Sequence, residues 1–162
     1  MKVFITSDNH FFHKNIIKYC HRPFKTVEEM NEYMIKRWNK IVTDDDIVFH
    51  LGDFALTNKT NLEKIRERLK GRVIIILGNH DRKRKLNQTG FIIHKTDRIK
   101  MKNIVLSHRP LDKVDEGFVN VHGHIHDKKT KGRRINASVD LTNFEPQPIE
   151  KYFKEATRLL KE

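Results

Sequence analysis

Five short apolar runs in this chain each lead directly into residues with oxygen or imidazole donors, and that pattern constrains the fold more than any other. Val3–Ile5 leads into Ser7-Asp8-Asn9-His10, Ile47–Leu51 into Gly52-Asp53, and Val73–Leu77 into Gly78-Asn79-His80-Asp81. Ile104–Leu106 leads into Ser107-His108, and Phe118–Val121 into His122-Gly123-His124-Ile125-His126. Runs this short, bounded by polar or glycine-containing turns, read as buried strands. Polar groups that follow strands converge when the strands run parallel, because open α/β sheets form their sites at the carboxyl ends.

The first half supplies the helices that a parallel arrangement needs. Thr26 and Glu29 form a capping-box pair, and Val27, Met30, Met34, Trp38 and Ile41 recur at helical spacing. Leu62, Ile65 and Leu69 mark a shorter helix that stops at Gly71. The order β-α-β-α-β implies an α/β chain with right-handed crossovers. In the second half Phe91–His94, Ile104–Leu106, Phe118–Val121 and Ile135–Val139 are strand-like with no clear helix between them, so more antiparallel pairing is expected. After the turn-rich Asn143–Pro148 segment, Ile149, Tyr152, Phe153, Ala156, Leu159 and Leu160 share one helical face. With 162 residues the chain reads as one domain, 1–162.

The donors themselves narrow the chemistry. Aspartate, asparagine and histidine without thiolates suit manganese, iron, zinc or nickel better than a structural zinc site. About seven donors exceed one four-coordinate ion and match two ions sharing a carboxylate. His124 and His126 are two apart and would face opposite ways in a regular strand, so a loop near Gly123 must turn both inward. Asp44-Asp45-Asp46 reads as a solvated turn.

Together Asp8-x-His10, Gly52-Asp53, Gly78-Asn79-His80-Asp81, His108 and Gly123-His124-x-His126 resemble the ordered signature of the calcineurin-like metallophosphoesterases. The opening Ser7-Asp8-x-His10-Phe11-x-His13 is similar to small bacterial and phage members, although Phe12 stands where close relatives often carry glycine. The resemblance implies two packed mixed β-sheets flanked by helices. It implies two divalent ions, manganese first, with Asp8, His10, Asp53 and His126 holding one. Asp53, Asn79, His108 and His124 would hold the other, Asp53 bridging. It further implies that His80 acts as general acid or phosphate stabiliser and that Asp81 orients the His80 ring. Asn79, His13 and Arg109 are the expected substrate contacts.

The activity expected from this resemblance is hydrolysis of a phosphodiester in a nucleotide or nucleic acid by metal-activated water. The alternatives are a small-molecule phosphomonoesterase and a non-catalytic nucleic-acid-binding protein. Lys and Arg number 33 against 21 Asp and Glu, a formal charge of +12 that favours polyanions. Arg82–Lys85 and Lys128–Arg134 concentrate that charge just after ligand blocks. His21 and His94 join no motif, while His50 and His122 read as buried, hydrogen-bonded residues. The single cysteine, Cys20, excludes an intramolecular disulfide and reads as an inert packed thiol. No stretch reaches the roughly 20 apolar residues of a membrane span, and no signal peptide is visible, so a cytoplasmic protein with no membrane contact and no obligatory protein partner is expected.

Overall fold

The computed structural model describes residues 1–162. In chain order the elements are β1 (Val3–Thr6), α1 (Ile16–Tyr19), α2 (Val27–Ile41), β2 (Ile47–His50), α3 (Lys59–Arg68) and β3 (Arg72–Ile75). They continue through α4 (Lys83–Asn87), β4 (Ile92–Ile93), β5 (Arg98–Met101), β6 (Ile104–Ser107), β7 (Val119–His122) and β8 (Arg134–Asn136). A 3-10 turn at Val139–Leu141, β9 (Gln147–Pro148) and α5 (Ile149–Leu159) complete the chain.

The capping signals form as the residues dictate. Thr26 Oγ1 accepts the Glu29 N–H at 3.1 Å, and the Glu29 carboxylate returns to the N–H of Lys25, one residue before the cap. Asn58 caps α3 by accepting the Asn61 N–H at 2.9 Å. The apolar stripe of α2 buries Met30, Met34 and Trp38 completely, and the Trp38 indole N–H donates to the Lys70 carbonyl at 3.0 Å.

The strands make two mixed sheets, ordered β4-β3-β2-β1-β9 and β5-β6-β7-β8. In the first, β1, β2, β3 and β4 are parallel and β9 runs antiparallel beside β1. Alternate residues then face different interiors. Phe4 and Val48 join the α2 and α3 side chains in one cluster, while Ile5 packs with Leu106, Val121, Ile149 and Tyr152 in another. The second cluster holds side chains of both sheets and of α5. The structure is thus the expected sandwich of two mixed sheets flanked by helices.

One expectation fails. Beyond the β5–β6 hairpin the second sheet is parallel, β6 with β7 and β7 with β8. The crossover from β6 to β7 is carried by residues 108–118 without a regular helix, so no helical period could announce it. The basic run after Asp81 opens the short helix α4, and Ile135–Val139 divides into β8 and the 3-10 turn. Asp46 also departs from the solvated-turn reading, because its buried carboxylate accepts from Thr43 N–H, Thr43 Oγ1 and the Lys2 N–H. It fastens the start of β2 to the chain preceding β1.

Parallel register positions the site. Thr6 stands beside His50 and His50 beside Ile75, while Ser107 stands beside His122 and His122 beside Asn136. A bridge between Ser7 and Ser138 joins the chain after β1 to the chain after β8. Every ligand-bearing loop therefore leaves its sheet at the same end.

Candidate metal centre

The loops after the strands bring two groups of side chains together. Asp8, His10 and His126 place one ligand atom each within 4.8 Å of one another, as do Asp53, His108 and His124. Asp53 connects the groups, because its Oδ2 lies 3.5 Å from His10 Nε2 and 3.5 Å from His108 Nε2. Asn79 Oδ1 lies 3.0 Å from His108 Nε2, so Asn79 stands at the second group as expected.

The imidazoles are set by bonds on their other nitrogens. His108 Nδ1–H donates to the Leu51 carbonyl at 2.8 Å, which leaves its Nε2 lone pair facing Asp53 and Asn79. His126 Nδ1 lies 3.3 Å from Asp140 Oδ2, freeing Nε2 for the first group. His10 and His13 meet through their Nδ1 atoms at 3.1 Å. His13 thus braces a ligand as well as lining the cleft.

The fit to divalent ions rests on these donors. His10 Nε2 is buried without a hydrogen-bond partner while facing the carboxylates of Asp8 and Asp53. An imidazole lone pair left unsatisfied beside two buried carboxylates is the environment that a cation completes. Burial pushes the Asp8 carboxyl up to about 7 against the N–H of His124, and it holds His10, His108 and His124 below the ordinary imidazole value. The neutral imidazoles of His10, His108 and His124 are ready to ligate, whereas Asp8 below about pH 7 and His126 below about pH 10 must lose a proton to do so. Oxygen and nitrogen donors of this kind suit manganese, iron, zinc or nickel.

The backbone is shaped to hold them. Asp8, His10, Asp53, His124 and His126 all have left-handed φ, from 52° to 71°. Such strain in non-glycine residues concentrates at functional sites, and Asp and His are among the types that tolerate it best. Phe12 shares this conformation, φ 62°, which a glycine would adopt without strain, and Asn31 Oδ1 secures it by accepting its N–H at 3.1 Å. Gly123 serves a different need from the turn expected of it. A Cβ there would collide with Ser7 Oγ and Asp8 Oδ2, and one on Gly78 would collide with Asp53. His124 and His126 both turn inward through their own left-handed backbones.

Asp81 departs from its expected role. Its carboxylate accepts the N–H groups of Gly78, Asp53 and Phe54 at 2.9, 2.8 and 2.9 Å, so it ties two ligand loops together instead of orienting the His80 imidazole. His80 is exposed, its N–H donates to Asp53 Oδ1 at 2.9 Å, and its ring centroid is 5.5 Å from that of His10. Arg109 is exposed beside Asn79 and His108 in a hollow of about 300 Å³. His50 is the buried structural residue the sequence suggests: Nε2 meets Asn9 Oδ1 at 2.9 Å and Nδ1 accepts the Gly52 N–H. His122 is likewise buried, with Nδ1 on the Gly123 carbonyl. His21 and His94 lie outside both ligand groups.

Sequence reasoning missed the support beneath the first group. Arg22, itself buried, donates to the Asp8 and Asn9 carbonyls at 2.7 Å each and pairs with Asp140 at 2.8 Å. Asp140 in turn accepts from Ser138 Oγ at 3.0 Å and faces His126. Burial opposes the charge on Asp140, but His126 and Arg22 hold its carboxyl down at about 2. Burial also opposes charge on His126, yet Asp140, Cys20 and Asp8 carry it up to about 10. Cys20 therefore lies at the site, within reach of His126 and Asp140. No spacing rule marks a lone arginine or an aspartate in a 3-10 turn as partners 118 residues apart.

Two mixed sheets with aspartate- and histidine-bearing loops at one end form the scaffold and candidate metal centre of this chain. The chain belongs to the calcineurin-like phosphoesterase family, whose model matches residues 1–161. It is 38% identical over 164 residues to an uncharacterized protein of Methanocaldococcus jannaschii, covering 92% of this chain and 88% of that protein. The crystal structure of a protein of unknown function from Aquifex aeolicus superposes with a TM-score of 0.73 at 27% identity, covering 94% of this chain and 98% of that one. No helix is long and apolar enough to cross a membrane.

Two outcomes follow from the support structure. Gly123→Ala should weaken metal affinity by at least tenfold in calorimetric titration, because Ser7 and Asp8 must move to admit the methyl. In metal-free protein, the Asp140 pair contributes on the order of 2 kcal/mol above about pH 4, since its folded value lies below the ordinary 3.8. That contribution is lost as pH falls through about 2. Asp140→Asn should therefore lower stability near neutrality and flatten the acid limb between pH 4 and 2 in denaturant titrations; an unchanged acid slope would contradict the pairing.

Proposed function

We propose that this protein is a dinuclear, metal-dependent phosphodiesterase that hydrolyses a nucleotide or nucleic-acid ester with water, using manganese. The observation that carries the reading is the placement of Asp53 Oδ2, 3.5 Å from a histidine of each ligand group. One carboxylate oxygen facing both groups is the arrangement that a shared ligand requires. Asp8, His10, Asp53 and His126 would hold one ion, and Asp53, Asn79, His108 and His124 the other. When bound, such ions supply an activated water and neutralise the phosphoryl oxygens.

The chain's own groups divide the remaining work. Asp81 fixes the Gly78 turn against Asp53, so Asn79 and His80 are presented from a rigid loop. His80 stands exposed next to the cleft, where its imidazole donates a proton to the departing alkoxide. Arg109, beside the second group, offers a guanidinium to a phosphate oxygen. The formal charge of +12 favours an extended polyanion over a small monoester. An unpaired Cys20 suits the reducing cytoplasm.

Metal titration of the chelator-stripped protein should reach two ions per chain, and Asp53→Ala should cost more activity than any single histidine substitution. Saturation at one ion would end the bridging assignment. Turnover of nitrophenyl phosphodiesters against the matching monoesters separates the diesterase reading from a monoesterase, and binding without any turnover would favour a nucleic-acid-binding scaffold. His80→Ala should keep its metal yet lose roughly 10²- to 10⁴-fold in kcat with an alkoxide leaving group. The loss should shrink with nitrophenolate, which needs little protonation; equal losses would make His80 a phosphate stabiliser instead.

A further inference from the structure

The cleft over the first ligand group has a lining that the metal chemistry does not use. It encloses about 350 Å³, and beside the imidazoles it presents Ile16, Tyr19, Cys20 and Ile125, with Asp127 and Lys128 as its carboxylate and its lysine. Ile16 is 3% exposed and anchors the four-residue α1. Tyr19 ends that helix and is 69% exposed. Its ring makes an edge contact with His13, with centroids 6.3 Å apart and planes at 81°. His13 contacts His10 and His80 in turn, so an aromatic series runs from Tyr19 into the ligand group.

A single exposed aromatic is ordinary on a protein surface. Tyr19 differs because it lines the same cleft as His10, His80 and His126. Lys128 adds an independent observation. It also lines a neighbouring hollow of about 310 Å³ together with Lys129, Arg134 and Lys151, whose cations outnumber the hollow's one carboxylate, Glu155. Arg134 is largely committed to the carbonyls of Leu111 and Asp112, so the lysines supply the hollow's free positive charge. An aromatic face, a phosphate-cleaving centre and a cationic hollow thus succeed one another through shared lining residues.

We propose that the cleft takes single-stranded oligonucleotides: a base stacks on Tyr19 while a phosphate beyond the scissile one reaches Lys128 and the basic hollow. Resting on the phosphodiesterase reading above, this assignment names its substrate class. A mononucleotide would leave the hollow unused, and a duplex keeps its bases stacked on one another and unavailable to a side chain. Single strands present both features that the surface offers, a π-face on each base and a charge at each step.

The test is fluorescence anisotropy of a labelled hexanucleotide, with metal removed so that nothing is hydrolysed, against an abasic strand of the same length. The base-bearing strand should bind about 5- to 150-fold more tightly, the range expected of one stacked base. Tyr19→Ala should erase that preference, and Tyr19→Phe should retain it. Replacing Lys128 and Lys129 together by alanine should weaken both strands alike and reduce the salt slope by about 1 to 1.5. Equal affinity for the two strands in the intact protein, or a preference that survives Tyr19→Ala, overturns the proposal. Metal-dependent hydrolysis of bis(nitrophenyl) phosphate by the same preparation separates the two readings. Hydrolysis without base preference removes the stacking subsite alone, whereas base preference without hydrolysis removes the phosphodiesterase reading alone.

Discussion

Two carboxylates that are almost wholly withdrawn from water set the terms for the rest of this structure. Asp8 is 0% exposed and Asp53 1%. An ionised carboxylate in such a place costs several kcal/mol unless hydrogen bonds and opposite charge compensate it. The surrounding loops are built around that requirement. The His124 N–H donates to both oxygens of Asp8, at 3.1 and 2.9 Å, and the His80 N–H donates to Asp53. Each donor comes from a loop of a different strand, so satisfying the carboxylates also closes the sheet ends upon one another. The charge that these neutral donors leave uncompensated is what a pair of divalent cations would neutralise.

That demand explains the backbone. Carboxylates can be approached from several loops only where main chains come very close, and at Gly52 an added Cβ would lie 2.6 Å from the Gly78 nitrogen and 2.6 Å from His108 Nδ1. Left-handed residues aim the remaining ligands, and each costs of order 1–3 kcal/mol relative to relaxed backbone. The structure retains them through pairings farther out: Arg22 on the carbonyls of Asp8 and Asn9, Asp81 on the loops after β2 and β3, and Asn31 on Phe12. A buried guanidinium is itself expensive to desolvate. Asp140 makes it tolerable, and through His126 the same carboxylate reaches the ligand group.

These relations also decide what could be read from the sequence. Asp8, His10, Asp53, Asn79, His108, His124 and His126 were legible because each follows a strand-like run and strand order fixes the edge where they meet. The capped helix α2 and the final helix were legible from local spacing, as was the parallel start of the first sheet. Arg22 and Asp140 were not, since their pairing depends on how the loop before α2 meets the turn after β8. Asp81 was misread for a related reason: its neighbour in sequence is His80, but its partners in space are backbone N–H groups, which every residue but proline carries. The parallel second sheet escaped because its β6–β7 crossover has no helix to mark it.

The division between centre and rim carries the functional argument further. Asp8, His10, Asp53 and His108 are buried and held by bonds that leave little freedom, so their geometry is largely prepaid by folding. His80, Arg109 and Tyr19 are exposed and stand on loops or a short helix. On the proposed reading, binding energy that distinguishes one phosphate ester from another would come from this outer set, because phosphate oxygens look alike to the inner one. A change at the rim alters which ester is held without disturbing the buried carboxylates. A change beneath the centre, at Arg22 or Asp140, alters the ligand geometry for every substrate alike.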